Sequence, residues 1–380
     1  MEQPEGFEQG KGNLVCKLKK SLYGLKQSGR CWNDHLNESL KSMGFIRNET
    51  DPCVYQLNTN DCRAIIIVYV DDMLVMTENK AAKNKVKALL SSGLEVKYIG
   101  EVSQMLGVKF ERETSGCITL SQKDYIDKLL TQFGLEDAKG AKTPMEAKPC
   151  LDEDKELEDT PYRELIGGLL YLSLRTRPDI TFAVTKLAQY SSNYNRSHWN
   201  SAKRILRYLK DTRDYKLSYR PTGQKLSAFA DADWATSNED RKSTSGYIVM
   251  LAGSPVTWKS AKQTITAFST MEAEYVSVAT CAREIRNLLK SLSLEELIGK
   301  STQILCDSQT AIAHAENYIS NSRTKHIGIK YHFIREKVMD GTIELKYVRT
   351  DENLADILTK PLNKNLHEFH CNRMLRRGTS

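Results

Sequence analysis

The sequence predicts a mixed α/β chain of the α+β kind, with sheets covered by helices. Three observations carry this. The run AIIIVYV at residues 64–70 is apolar and mostly β-branched, which reads as a buried strand. Tyr275, Val278, Ala282, Ile285, Leu289 and Leu292 recur at steps of 3, 4, 3, 4 and 3, the stripe of a long amphipathic helix. After Lys225 the order strand, strand, strand, helix, strand, helix, helix, strand, helix joins hairpins to later alternating units, as a mixed five-stranded sheet requires.

Taken from the N-terminus, residues 37–43 read as helix, 64–70 as strand, 80–91 as a helix with Val86, Leu89 and Leu90 on one side, 117–121 as a short strand and 123–133 as helix. KPCLDEDKELEDTP at 148–161 sets six acids around one internal lysine and reads as a solvated linker or loop. RPTGQK at 220–225 is a second break. Between the breaks the chain reads as helical. In residues 198–220 an apolar stripe of Trp199, Ala202, Ile205, Leu206 and Leu209 is flanked by Lys203, Arg204, Arg207, Lys210 and Arg213. Two readings stand: a docked helix with a solvated basic face, or a basic face that tracks a phosphate backbone. Beyond Lys225, strands are expected at 226–231, 247–251, 265–268, 303–306 and 343–348, and helices at 271–292, 309–315, 326–338 and 352–359.

Composition narrows the function classes. In 380 residues, 40% are hydrophobic and 27% charged, which excludes a wholly disordered chain and suits two or three domains. The longest apolar run is the seven residues 64–70, against roughly 20 for a membrane span. The N-terminus lacks an apolar signal region, so a cytoplasmic or nuclear, not secreted, protein is expected. None of the nine cysteines forms a CxxC pair, so neither a zinc knuckle nor a disulfide framework is signalled. The net charge of +7 is compatible with a polyanion partner.

Four acids of the last region sit where chemistry could use them. Asp231 ends the strand LSAFAD, Glu272 opens the long helix, Asp307 follows the strand QILC, and Asp356 lies in the first turns of the last expected helix. Each has a plain structural reading: Asp307 as an N-cap, Glu272 as a partner of the helix dipole, Asp356 as a solvated residue. Jointly they make a candidate Mg²⁺ site, because clustered carboxylates repel and a divalent ion makes their joint ionisation tolerable. Earlier, Asp71 and Asp72 follow a buried strand, either as an acidic turn closing a hairpin or as a metal-binding pair.

YVDDM at 69–73 resembles the polymerase signature of reverse transcriptases, and its companions resemble the copia class of LTR-retrotransposon Pol proteins. They include MEQPEGF (1–7), KSLYGLKQSGRCW (20–32), LSQKDYIDKLL (120–130), YRELIGGLLYLSLRTRPDI (162–180), HWNSAKRILRYLK (198–210), DADWA (231–235), DRKSTSGY (240–247), STMEAEY (269–275), KHIGIKYHFIRE (325–336) and ENLADILTKPL (352–362). The resemblance runs nearly the whole length, in family order.

It implies a partial reverse-transcriptase palm and thumb at 1–145, a connection at 146–224, a ribonuclease H-like mixed five-stranded sheet with helices at 225–365, and a basic tail at 366–380. It matches Asp231, Glu272, Asp307 and Asp356 to the ribonuclease H carboxylates, and Asp71 and Asp72 to the second and third polymerase carboxylates. Gly24, Lys26 and Gln27 match positions that meet template and nucleotide, with Lys203, Arg204 and Arg207 as further nucleic-acid contacts. Lys325 and His326 match a motif near the nuclease site. The implied cofactor is Mg²⁺, with Mn²⁺ as the alternative, and the implied partners are an RNA–DNA hybrid, an RNA template and DNA. The family places its first polymerase aspartate before MEQPEGF, so polymerase activity is not expected of these residues alone. The rival expectation is a non-enzymatic nucleic-acid-binding remnant.

Overall fold

The computed structural model describes residues 1–10, 14–149, 151, 159–221, 223, 225–235, 241–292, 301–316 and 328–378. The chain forms two compact units, Met1–Val102 and Ser103–Ser380.

In the first unit, α1 (Ser28–Ser42) precedes a four-stranded antiparallel sheet with the order β1 (Ile46–Arg47), β2 (Val54–Thr59), β3 (Cys62–Tyr69) and β4 (Asp72–Thr77), followed by α2 (Lys80–Gly93). The apolar run is β3. It is buried on one face only: Cys62, Ala64, Ile66 and Val68 meet Leu36, Leu40, Val86 and Leu90 in the core. Asn79 caps α2 by accepting from the Ala82 N–H at 2.8 Å.

The second unit opens with β5 (Gln104–Met105), β6 (Val108–Arg112), β7 (Ile118–Ser121) and α3 (Lys123–Gln132). Then come α4 (Tyr162–Arg175), a 3₁₀ turn at Pro178–Ile180, α5 (Thr181–Ala188), α6 (Arg196–Asp211) and β8 (Tyr215–Tyr219). The stripe Ala202, Ile205, Leu206 and Leu209 of α6 is buried against α3, α4 and α5, as its spacing predicts. The helical reading of 198–220 fails at its end. Tyr215, Leu217 and Tyr219 switch to period two, and the segment is a strand paired with β7. Arg177 and Asp179, fully buried, pair at 2.6 Å and tie the Pro178–Ile180 turn to Tyr208 and Thr212 around the end of α6.

After residue 225 the chain forms β9 (Ser227–Asp233), β10 (Thr244–Leu251), β11 (Ser254–Lys262), α7 (Thr270–Leu292), β12 (Thr302–Cys306), α8 (Gln309–Glu316), α9 (Gly328–Met339) and β13 (Ile343–Tyr347). The sheet order is β11-β10-β9-β12-β13, with β10 antiparallel to both neighbours and β12 parallel to β9 and β13. This is the expected mixed five-stranded sheet. Its third strand is Ser254–Lys262, not the expected 265–268. Ala252 and Gly253, both at positive φ, close a tight turn that starts β11 at once. Tyr275, Val278, Ala282, Ile285 and Leu289 of α7 fill the core over Ala228, Ala230 and Ile304, each large side chain contributing about 1.5–3 kcal/mol of burial.

Two 3₁₀ turns, Thr350–Glu352 and Leu354–Leu358, stand where an α-helix is expected at 352–359. The expected basic tail is likewise built into the fold. Residues Lys364–Met374 form α10, and β14 (Arg376–Arg377) pairs with β8 at the edge of the sheet β14-β8-β7-β6-β5. Among the described residues no helix is long and apolar enough to cross a membrane.

Candidate active site

Parallel pairing brings the first two acids together. Leu305 lies opposite Phe229, so Asp307, two residues on, lies level with Asp231 at the same end of the sheet. The Leu354–Leu358 turn lies against β9 and β10 and delivers Asp356. It can approach because Gly246, opposite Asp231, has no side chain: a Cβ there would sit 2.8 Å from Leu358 Cβ and 3.1 Å from the Ala355 carbonyl. Asn353 pins the turn by donating to the Ala230 carbonyl at 3.0 Å. Asp231, Asp307 and Asp356 each present an oxygen within 4.8 Å of the others, and Glu274, Cys306 and Asp307 form a second such group sharing Asp307.

The charge balance of this cluster is strained. Asp231 and Asp356 are 2% and 1% exposed and Glu274 is 8% exposed. Burial, then the neighbouring Asp231 and Asp307, push the Glu274 carboxyl up to about 10. Burial and Asp231 push Asp356 up to about 8, and burial also raises Asp231. Lys360 is the nearby counter-charge, its Nζ 3.0 Å from Asp356 Oδ2. Burial opposes its ammonium, but Asp231, Asp356 and Asp233 outweigh that and hold its proton more tightly than usual. Thr359 Oγ1 donates to Asp231 Oδ2, and Thr350 Oγ1 to Asp307 Oδ2 at 2.7 Å. Asp356 Oδ1 is buried with no hydrogen-bond partner. A buried carboxylate oxygen left bare, among acids that one lysine cannot balance, is the arrangement that a divalent cation completes.

The structure corrects one member of the expected set. Glu272 is buried, but it belongs to the start of α7 and lies outside both carboxylate groups. Its Oε2 accepts from the Phe268 N–H at 2.7 Å, and its own N–H donates to Ser269 Oγ at 3.3 Å. Glu274 takes the place in the cluster. One turn on from it, Ser277 and Val278 face the sheet, with Ser277 Oγ bonded to the Gly246 carbonyl. The signal was present in the sequence. Ser269-Thr270-Met271-Glu272 is the S-x-x-E of a capping box, which claims Glu272 for the helix end. The other plain readings also resolve. Ser308, not Asp307, caps α8 through the Ala311 N–H at 3.2 Å, and Asp356 is not solvated. Lys325 and His326 lie outside the described residues.

In the first unit Asp71 and Asp72 are exposed at the two-residue turn joining β3 to β4, where Tyr69 pairs with Asp72. Val70 sits at φ 54°, unusual for a β-branched residue, and its carbonyl accepts from Trp32 Nε1 at 2.8 Å. Tyr23 donates its hydroxyl to Asp71, so the segment carrying Gly24, Lys26 and Gln27, all exposed, is tied to the acidic turn.

The phosphate-tracking reading of α6 is not supported. Arg204 bonds Glu146 at 3.0 Å and Thr143 at 3.2 Å, Arg207 bonds the Lys139 carbonyl at 2.5 Å, and Lys210 bonds the Ala138 carbonyl at 2.9 Å. Lys203 lies over the Trp199 ring at 5.4 Å. This face of the helix clamps the chain at 138–146.

Residues 1–147 match the family model for reverse transcriptase (RNA-dependent DNA polymerase). The chain is 38% identical over 97% of its length to the retrovirus-related Pol polyprotein from transposon TNT 1-94 of Nicotiana tabacum, and 37% identical over 96% to that from transposon RE2 of Arabidopsis thaliana. It spans only 29% and 25% of those two proteins. It is 36% identical over 75% of its length to a putative transposon Ty5-1 protein of Saccharomyces cerevisiae, covering 94% of that protein. Among solved structures, LC11-RNase H1 in complex with RNA/DNA hybrid aligns to 36% of this chain and 94% of its own (14% identity, TM-score 0.28). A foamy viral protease–reverse transcriptase in complex with double-stranded DNA aligns to 85% of this chain and 49% of its own (14% identity, TM-score 0.42). With a reverse-transcriptase match at its start and transposon Pol identity along nearly its whole length, the chain belongs to the copia-type LTR-retrotransposon Pol family.

Proposed function

We propose that the chain is the polymerase–nuclease portion of such a Pol protein, and that its second unit cleaves the RNA strand of an RNA–DNA hybrid at Asp231, Glu274, Asp307 and Asp356. The observation that carries this reading is the convergence of these acids from β9, α7, β12 and the Leu354–Leu358 turn on one end of the sheet, around a bare Asp356 oxygen. The four are the residues that would hold Mg²⁺, or Mn²⁺ in its place. A divalent ion bound there supplies an activated water and stabilises a leaving phosphodiester oxygen.

The chain's own contribution is positioning. Paired strands fix both acids, Asp231 inside β9, which runs on to Asp233 rather than ending at 231, and Asp307 just after β12, which is the rigid support that such a site needs. Thr359 and Thr350 each occupy one carboxylate oxygen of Asp231 and Asp307 and so orient the other. Lys360 holds Asp356 in place and lowers the cost of crowding acids before substrate arrives. Asp71 and Asp72 are proposed as polymerase carboxylates, with Gly24, Lys26 and Gln27 as template and nucleotide contacts. The tie between Tyr23 and Asp71 supports their placement at one site. The division into 1–145, 146–224 and 225–365 is proposed on the same family grounds. Incubation of the purified chain with Mg²⁺ and a labelled RNA–DNA hybrid tests the nuclease reading, and a folded chain that leaves the hybrid intact refutes it.

A further inference from the structure

Cys306 is unusual in a carboxylate cluster built for hard cations. It is the last residue of β12, fully buried, and its thiol faces Glu274 Oε2 at 3.8 Å. Its sulfur also accepts from the Ser308 N–H at 3.4 Å, a bond that would stabilise a thiolate. Glu274, Cys306 and Asp307 each offer a ligand atom within 4.8 Å of the others. Beside them, Asp356 shares a carboxylate group with Asp307 and carries the buried, unpartnered Oδ1.

We infer that Glu274, Cys306 and Asp307 form a binding site for a thiophilic divalent cation of the Zn²⁺ or Cd²⁺ class, overlapping the centre assigned to hydrolysis. Zn–S and Zn–O bonds of about 2.3 and 2.0 Å at tetrahedral angles set sulfur and oxygen about 3.5 Å apart. The observed 3.8 Å needs little adjustment. Mg²⁺ does not compete for the sulfur, because it selects oxygen and an octahedral shell. Burial and Glu274 raise the Cys306 thiol, so binding forms the metal–sulfur bond and releases the thiol proton to solvent. Asp307 belongs to both carboxylate groups, so a soft ion held here removes a ligand from the hydrolytic arrangement and blocks it. The ligand geometry stands whether or not the centre hydrolyses a hybrid.

The probe is Cd²⁺, titrated into the full chain with Cys16, Cys31, Cys53 and Cys150 replaced by serine. The readout is the ultraviolet thiolate-to-cadmium charge-transfer band. One saturable equivalent is expected. Cys306→Ser and Cys306→Ala both abolish the band, with circular dichroism unchanged, and Glu274→Gln weakens Cd²⁺ at least tenfold. A band that survives both Cys306 substitutions, or no saturable band in the parent chain, overturns the inference. Hybrid cleavage in Mg²⁺, measured on the same samples, tests the nuclease reading separately. Its failure beside a normal cadmium band would sink that reading and leave this site standing.

Discussion

Glu272→Gln and Glu274→Gln separate two acids that lie two residues apart on α7 and do different work. Glu274→Gln keeps an oxygen to accept from the Ala232 N–H, now at 3.2 Å, so the backbone has no reason to move. It removes a charge from the cation-holding set. Electrostatic stabilisation by a bound metal amounts to several kcal/mol. A loss of about 3 kcal/mol, at about 1.4 kcal/mol per tenfold, predicts a fall in cleavage of about 100-fold or more. The same change should not cost stability without metal. The Glu274 carboxyl is raised to about 10 from 4.5, so between those values the folded chain keeps a proton that the unfolded chain releases. The folded state therefore loses stability as pH rises through that window, a burden that Gln does not carry. Glu272→Gln keeps its acceptor for the Phe268 N–H at 2.7 Å but loses a charge-assisted bond. That costs about 1 kcal/mol, a melting shift of about 2–4 °C, with cleavage within about threefold of the parent. Initial rates on a labelled hybrid in Mg²⁺ and thermal unfolding in EDTA read both quantities. Equal activity loss from the two changes, or more than a tenth of parent activity in Glu274→Gln, would refute the assignment of Glu274.

Without metal, stability falls as pH rises from 6 to 8, because Glu274 and Asp356 are both raised above their unfolded values of 4.5 and 3.8 and folding takes up protons across that window. Urea midpoints at the two pH values check this, and a higher midpoint at pH 8 contradicts it. Gly246→Ala drives a Cβ to 2.8 Å from Leu358 Cβ and Thr359 Cγ2 and should cost about 1–3 kcal/mol while displacing Asp356. Unchanged stability and cleavage would show that the turn does not depend on that close approach. Arg177→Met leaves Asp179 buried without its partner, for a loss of about 3–5 kcal/mol by urea unfolding; a loss under 1 kcal/mol would mean that the pair carries little. Arg204→Ala and Arg207→Ala should leave the salt dependence of hybrid binding unchanged, since both side chains are spent on 138–146. A slope shallower by about 0.9 per residue would restore the phosphate-tracking reading.

Periodicity made the long helix and the mixed sheet legible. The α7 stripe keeps strict helical steps over five turns, and β9 and β12 are short, largely apolar runs with Asp231 inside the first and Asp307 just after the second. The misses have local causes. The strand Tyr215–Tyr219 is hidden behind a helix whose apolar residues run almost up to it, and Ser254–Lys262 starts after a turn of only two residues. Asp231 and Asp307 could be read because each follows a short apolar run, although β9 continues past Asp231 to Asp233, and Asp356 because it sits between Leu354 and Leu358. Glu274 was not read from the sequence: the stripe singles out Glu272, three residues before Tyr275, but Glu274, four residues before Val278, fits it equally well. Only the capping box separates them. The fate of the α6 arginines was not legible, because their partners at 138–146 lie about 60 residues away in sequence and helical spacing says nothing about what packs on a polar face.

The proposed metal-dependent nuclease centre is the set of carboxylates that meet where β9 and β12 run side by side. Cleavage of a labelled RNA–DNA hybrid by the purified chain, with and without Mg²⁺, and by Asp231→Asn and Asp233→Asn, tests it most directly. Asp231 accepts from Thr359 inside the cluster, whereas Asp233, half-buried two residues on, lies outside both carboxylate groups. Mg²⁺-dependent cleavage of the RNA strand is expected, stopped by EDTA, abolished in Asp231→Asn with the fold intact, and largely kept in Asp233→Asn. A folded parent chain that leaves the hybrid uncut, or equal loss from both substitutions, would contradict it.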